Sequence, residues 1–129
     1  MKVLLDTHTV LWALSQPDRL GTEALAVVSE MTSELVVSSA TAWELSTKAR
    51  LGTLPGAIAI LSTYYRHLTR LGASELAITG EHALLAGSLD WAHRDPFDRM
   101  LAAQALIEGL PLMTRDPAFA SLDGIRRIW

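Results

Sequence analysis

The stretch KVLLDTHTV, residues 2–10, decides the fold. The run KVLL has the length and apolar character of a short buried strand, and Asp6 follows it directly. A helix is predicted next, over residues 9–15. A carboxylate that closes an apolar strand must find hydrogen-bond donors or a cation to offset its lost hydration. Asp6 is therefore the first candidate functional residue.

The same alternation of short apolar runs and helical segments continues along the chain. Further strands are predicted over residues 34–39, 75–79, 110–114 and 125–129. Helices are predicted over residues 23–32, 41–52, 57–71, 81–90 and 96–108, with a short helix after Asp116. This alternation indicates an α/β fold with a mostly parallel sheet of four to five strands and helices on both faces. The strand order is not readable from the sequence.

Length and composition favour one compact domain over residues 1–129. The chain has 129 residues, of which 50% are hydrophobic and 19% charged, so it has enough apolar surface for a core. It has no cysteine, which excludes disulfides, thiolate catalysis and zinc–thiolate sites. The first apolar run is too short for a signal peptide, and no run has the length of a membrane span. We therefore expect a cytoplasmic protein without a membrane partner.

The net charge of −3 argues at first against a nucleic-acid partner, but the basic residues are mostly arginine. Arginine grips phosphate with a rigid, planar fork of donors. Arg94, Arg99 and Arg115 stand beside acids and are candidate RNA contacts. The alternative is that all three are ordinary solvated charges at helix ends.

Four acids are predicted to meet at one edge of the sheet, since the working crevice of an open α/β sheet lies beyond the carboxyl ends of its strands. Asp6 follows the first strand, and Glu44 lies one turn into the helix after the second. Asp98 lies one turn into its helix, and Asp116 follows the fourth strand. Their convergence is the candidate catalytic site.

Each of these acids also has a structural interpretation as a helix cap. Asp95 suits an N-cap with Pro96 at the first helical position, and Asp98 then occupies the third. Glu44 completes a capping box with Thr41, and Asp116 precedes a proline in the same way as Asp95. Capping explains each acid separately but does not explain their common location.

A divalent cation explains the common location, because clustered carboxylates repel one another and cannot all stay ionised without help. All-oxygen ligation suits Mg²⁺ or Mn²⁺, and such ions support hydrolysis of phosphodiesters. Asp6 would be the anchoring ligand, with Glu44 and Asp98 completing the first set and Asp116 binding a second ion or orienting water. Asp95 is either an outer ligand or only a cap. Three hydroxyls are candidate outer supports, with local turn hydrogen bonds as their alternative role: Thr7, Ser39 and Thr114.

Four blocks of the sequence, in this order, resemble the PIN-domain nucleases, and above all the VapC-type toxins of bacterial toxin–antitoxin pairs. These blocks are LLDTH, WE, HRDPFDRMLAAQA and LMTRDPAF, spanning residues 4–119. The resemblance implies a PIN-like three-layer sandwich and a Mg²⁺- or Mn²⁺-dependent endoribonuclease. It places the acidic site on Asp6, Glu44, Asp98 and Asp116, with Asp95 as an additional acid. It also implies a homodimer and a cognate antitoxin that lays a peptide across the active-site groove.

The sequence does not decide which aromatic and histidine side chains contact a partner or a substrate. Five aromatic side chains form either a hydrophobic docking surface or part of the core: Trp12, Trp43, Trp91, Tyr64 and Tyr65. His8 and His93 lie near the predicted site and are candidate phosphate contacts.

Three alternative functions were considered, two with a similar acidic pocket and one without catalysis. A receiver-like signalling domain needs adjacent early acids and a late lysine, whereas no lysine follows Lys48. A haloacid-dehalogenase-like phosphatase needs a second aspartate where this chain has His8. A catalytically silent module would keep only the caps and the core.

Overall fold

The computed structural model describes all residues, 1–129, and contains five strands, seven α-helices and two 3₁₀-helices. The strands are β1 (Lys2–Leu5), β2 (Glu34–Ser38), β3 (Ala73–Leu76), β4 (Leu112–Met113) and β5 (Arg127–Ile128). The helices are α1 (Thr7–Ser15), α2 (Thr22–Ser29), α3 (Ser39–Leu51), α4 (Ala57–Leu61), α5 (Tyr64–Leu71), α6 (Gly80–Ser88) and α7 (Pro96–Glu108). The 3₁₀-helices cover Pro17–Arg19 and Pro117–Ser121. None of the helices is long and apolar enough to cross a membrane.

The strands form one sheet in the order β3-β2-β1-β4-β5, and every neighbouring pair is parallel. The predicted α/β class and parallel sheet are confirmed. Strand β1 is central, and Leu4 pairs with Val36 on one side and Leu112 on the other. The chain order reverses between β1 and β4, and such a reversal opens a crevice at the carboxyl ends of the strands.

The two faces of β1 supply the two main layers of the core. Val3 and Leu5 pack with α1 and α2 on one face, while Leu4 packs against Leu101 and Phe119 on the other. All three β1 side chains are fully buried. Period-two alternation in a strand with helices on both sides gives this three-layer arrangement.

The predicted helix over residues 57–71 is wrong in one respect, because it is two helices. Thr63, with φ −128° and ψ 33°, interrupts it between α4 and α5. Ile60 before the break packs against Leu11 and Leu45, whereas Leu68 after it packs into the cluster below β1 and β2. The break lets a continuous apolar stripe serve two separate parts of the core.

The third strand covers Ala73–Leu76 and not residues 75–79. Gly72 ends α5 in the left-handed region, at φ 72°, and the chain enters the sheet at the next residue. Pairing with β2 then runs from Leu35 with Ala73 to Ser38 with Leu76. The helix predicted over residues 23–32 likewise ends early, at Ser29.

Candidate active site

Asp6 joins the end of β1 to the start of α1. It is the N-cap of α1, and its side chain accepts a hydrogen bond from the Thr9 backbone N–H at 2.8 Å. Its second oxygen accepts from the Thr114 hydroxyl, just beyond β4. These donors replace part of the water that the carboxylate loses at the end of a buried strand. Asp6 is therefore both a cap and a link across the switch point of the sheet.

Glu44 lies on the inner face of α3 and is almost fully buried, with 5% of its surface exposed. One oxygen accepts from the Thr7 hydroxyl, and the other pairs with the Lys48 ammonium group one helical turn later. A buried carboxylate requires such partners, because its desolvation is otherwise uncompensated. The sequence interpretation missed Lys48, although its spacing of four residues from Glu44 is a recognisable pairing signal.

The two acids at the start of α7 have different roles. Asp95 is the N-cap: its Oδ1 accepts from the backbone N–H groups of Phe97 and Asp98. The side chain of Asp98 caps nothing and instead contacts His93 Nε2 at 2.6 Å. The helix-cap interpretation of Asp98 is wrong, because its carboxylate points to this imidazole.

Asp116 caps the second 3₁₀-helix, with its Oδ1 accepting from the Ala118 N–H. Its own backbone N–H donates to the Thr114 hydroxyl, which in turn donates to Asp6. Thr114 is fully buried. It thus fixes the loop after β4 relative to the end of β1.

These carboxylates line one open pocket of about 440 Å³, beyond the carboxyl ends of the central strands. We call it the acidic pocket, and its acids are Asp6, Glu44, Asp95, Asp98 and Asp116. Thr7, His8, Trp12, Lys48, His93 and Arg115 also line it. The capping interpretation and the predicted convergence are therefore compatible, since three of the five acids cap helices and also line the acidic pocket.

Burial and crowding change the proton affinity of two of these acids. Burial raises the pKa of Asp6, and the hydrogen bonds from Thr114 and Thr9 oppose that effect. Burial also raises the pKa of Asp98 to about 6, and the charges of Asp95 and Glu44 add to the rise. Crowded carboxylates at reduced hydration favour the uptake of a proton or a cation.

Lys48 supplies one internal cation to this site. Burial lowers the pKa of its amino group, but the hydrogen bond and charge of Glu44 outweigh burial and leave the pKa raised. Asp95 and Asp98 act in the same direction. The repulsion among the acids is thus partly balanced within the chain, which the sequence interpretation did not anticipate.

The donor set fits a hard divalent cation, because five carboxylates and a hydroxyl outnumber the two imidazoles and no thiolate is present. No three of the His, Asp and Glu side chains lie close enough together to hold one ion in the conformation described. Asp98 and Glu44 are turned toward His93 and Lys48 instead. One oxygen of Asp98 contacts His93, and the two oxygens of Glu44 contact Thr7 and Lys48.

Four predicted site residues do not line the acidic pocket: Ser39, Arg94, Arg99 and Thr114. Ser39 is the first residue of α3, and Ser38 makes the capping hydrogen bond there. Arg94 is exposed beside the pocket but outside its wall. Thr7, His93 and Arg115, in contrast, line the pocket, and Thr114 lies behind it and donates a hydrogen bond to Asp6.

Arg99 was predicted to contact RNA, but the structure gives its side chain other partners. Its guanidinium donates to four backbone carbonyls, those of Ala86, Leu89, Trp91 and His93, at 2.7–3.0 Å. These bonds occupy the face of the group that would meet a phosphate. Arg99 therefore fixes the loop between α6 and α7, and through it the position of His93.

The aromatic residues divide between core and surface. Trp91 packs against Phe119, and Tyr64 is half-buried beside the core. Trp43 and Tyr65 are exposed, at 52% and 65% of their surface. Trp12 alone among the predicted docking aromatics lines the acidic pocket.

The fold and the site define the class of protein. The model of the PIN domain matches residues 3–125, so the chain belongs to the PIN-domain family. The predicted family and fold are confirmed, and the receiver and haloacid-dehalogenase alternatives are wrong.

Individual relatives narrow the comparison within that family. Over 118 residues the chain is 32% identical to Ribonuclease VapC22 from Mycobacterium tuberculosis, covering 88% of this chain and 86% of that protein. Two solved structures share the fold. DNA-bound VapBC from Salmonella typhimurium has a TM-score of 0.73 at 22% identity, covering 98% of this chain and 96% of that one. VapBC2 from Rickettsia felis, bound to a DNA fragment from its promoter, has a TM-score of 0.71 at 15% identity, covering 98% and 97%.

Proposed function

We propose that this protein is a Mg²⁺- or Mn²⁺-dependent endoribonuclease, the toxin of a toxin–antitoxin pair. The observation that carries the proposal is the acidic pocket, in which five carboxylates from separate parts of a PIN-domain chain face one space. The relationship to a protein named as a VapC ribonuclease supports RNA as the substrate.

Asp6, Glu44, Asp98 and Asp116 would hold the metal in this proposal. A bound divalent cation supplies a Lewis acid that lowers the pKa of water and neutralises charge on a phosphodiester. Asp6 is the best prepared of the four, because Thr9 and Thr114 already fix its orientation. Asp98 becomes available when it leaves His93, and Glu44 when it leaves Lys48.

The chain's own cations would act on the substrate. Lys48, released from Glu44, and the exposed Arg115 both line the acidic pocket and can bind phosphate oxygens. His93 lies on the same wall, and its imidazole can hold a proton near the leaving oxygen. Asp95 keeps its capping role and adds negative charge beside Asp98.

Cleavage of end-labelled RNA with Mn²⁺, and with EDTA instead, tests this function. We expect cleavage only with metal, and we expect Asp6→Asn and Asp98→Asn to abolish it. Asp123→Asn is the matched control, because Asp123 is exposed and lies outside the acidic pocket. Cleavage that persists in EDTA or in both site variants would refute the metal-dependent site. No cleavage by wild type with Mn²⁺ would favour the catalytically silent module.

We also propose an antitoxin partner and a homodimer for this chain. Two solved structures with the same fold are VapBC complexes, which supports a protein partner. Expression of the toxin alone should arrest growth, and co-expression of a small neighbouring open reading frame should relieve the arrest.

Sedimentation of the purified chain should give twice the mass of one chain, and a monomer would refute the dimer.

A further inference from the structure

A second cleft adjoins the acidic pocket and has the opposite charge. It has a volume of about 550 Å³, within the range of small-molecule sites, and lies beside α1 and residues 54–60. Its wall carries Arg19 and Arg115 and no carboxylate. It shares Arg115, His8 and Trp12 with the acidic pocket, so the two form one continuous groove. We call this part of the groove the basic cleft.

Trp12 brings the two arginines together. Each guanidinium carbon, that of Arg19 and that of Arg115, lies 4.7 Å from the centroid of the Trp12 ring. The His8 ring lies 5.5 Å from the same ring, tilted by 47°. Cation–π contact accounts for each arginine singly, but two like charges on one ring also repel each other. An anion in the cleft would relieve that repulsion.

The two guanidinium groups are free to bind such an anion. Both side chains are exposed, and neither has a carboxylate within ion-pair distance. The Arg115 side chain makes no hydrogen bond within the chain, and the Arg19 side chain makes one, to Gln16 at 3.3 Å. In contrast, Arg99 has four of its five N–H donors committed to carbonyls. The basic cleft thus holds two available guanidinium groups next to the acidic pocket.

We propose that the basic cleft binds the single-stranded RNA segment next to the phosphodiester that is cleaved. This inference rests on the proposed function and names the form of its substrate. Arg19 and Arg115 bind backbone phosphates, and a base stacks on the group that they form with Trp12. Stacking on aromatic and guanidinium planes needs an unpaired base, because the bases of a duplex are already stacked inside it.

Charge and continuity favour RNA over a protein segment in this cleft. A strand whose scissile phosphate lies in the acidic pocket must continue along the groove, and the basic cleft is the neighbouring stretch without carboxylates. Apolar side chains on its wall, such as Leu54 and Ile60, suit the face of a base, and the guanidinium donors suit phosphate. A protein occupant is the alternative that the test must separate.

The test is the binding of a fluorescein-labelled single-stranded RNA in EDTA, measured by anisotropy over a range of salt concentrations. Arg19→Gln should weaken binding about fivefold or more and reduce the salt slope by about 0.7. Arg19→Lys should keep the salt slope but recover only part of the affinity, since lysine lacks the planar group. Arg66→Gln is the control, because Arg66 is exposed and lines neither cleft.

Equal affinities for Arg19→Gln and Arg66→Gln would overturn the inference, and so would equal affinity of wild type for duplex and single-stranded RNA. Loss of partner binding by Arg19→Gln with unchanged RNA binding would assign the cleft to a protein instead. Cleavage by wild type in Mn²⁺ is scored separately. If wild type cleaves RNA but RNA binding does not depend on Arg19, only the proposal for the basic cleft is refuted. If RNA binding depends on Arg19 but wild type does not cleave RNA, only the proposed nuclease function is refuted. Thermal unfolding should be unchanged in Arg19→Gln, because the side chain is exposed.

Discussion

Asp98 shows how one residue can weaken the fold while serving the site. Its pKa is raised to about 6, first by burial and then by Asp95 and Glu44, so the folded protein holds this proton more tightly than the unfolded chain does. The stability that protonation contributes is fully present below the ordinary value of 3.8 and is lost as pH rises through about 6. At neutral pH, ionised Asp98 therefore lowers the free energy of unfolding.

Asp98→Asn should raise the free energy of unfolding by about 1–2 kcal/mol at pH 7.5 in EDTA, allowing for solvent screening. The gain should disappear at pH 4, where Asp98 is already largely neutral. Urea unfolding at the two pH values measures both quantities, with Asp123→Asn as the control. A loss of stability of similar size at both pH values would mean that Asp98 has a structural role.

Lys48 has the reverse effect, because it stabilises the buried Glu44 carboxylate. Lys48→Met keeps the apolar stem but leaves Glu44 with only the Thr7 hydroxyl, and should cost about 1–3 kcal/mol in EDTA. Arg50→Gln on the same helix is exposed and should cost almost nothing. Added Mn²⁺ should stabilise Lys48→Met more than wild type, since the metal replaces the missing charge. Equal stabilisation of the two by Mn²⁺ would contradict a shared cation site.

The loop between α6 and α7 is held by Arg99, and its stability is a property of that element. Arg99→Lys keeps the charge but cannot reach four carbonyls at once, and should lower the free energy of unfolding by about 2–3 kcal/mol. Hydrogen exchange should show faster opening in the N-terminal half of α7 and the residues before it. Arg94→Gln, an exposed neighbour, is the control. Unchanged exchange in Arg99→Lys would show that the carbonyl contacts contribute no stability.

Elements were predictable where a local pattern decides them. The caps at Asp95 and Asp116 and the strand at residues 2–5 follow from local chemistry, and the structure has all three. The cap at Asp6 was not predicted, because the first helix was expected to begin at residue 9 and begins at Thr7. The break at Thr63 was not predictable, because the apolar stripe continues through it and only the two separate clusters require the break. The start of β3 at Ala73 likewise depends on pairing with β2.

At the scale of the molecule, the parallel sheet was predictable and its order was not. The order depends on which strands pair, and β1 pairs with both β2 and β4 through residues far apart in the chain. Convergence of the acids followed from the rule that parallel strands end at one edge. The internal partners of those acids did not, because the contact of Asp98 with His93 and the position of Arg99 depend on the loop between α6 and α7.

Binding of Mn²⁺ measured by calorimetry tests the central claim, that carboxylates brought together by the fold share one cation. Wild type and Asp123→Asn should bind Mn²⁺ with the same affinity, while Asp6→Asn and Asp98→Asn should each weaken binding about tenfold or more. Release of protons should accompany binding near pH 6, because the metal displaces the proton from Asp98. No Mn²⁺ heat in wild type, or equal affinity in all four proteins, would contradict the claim.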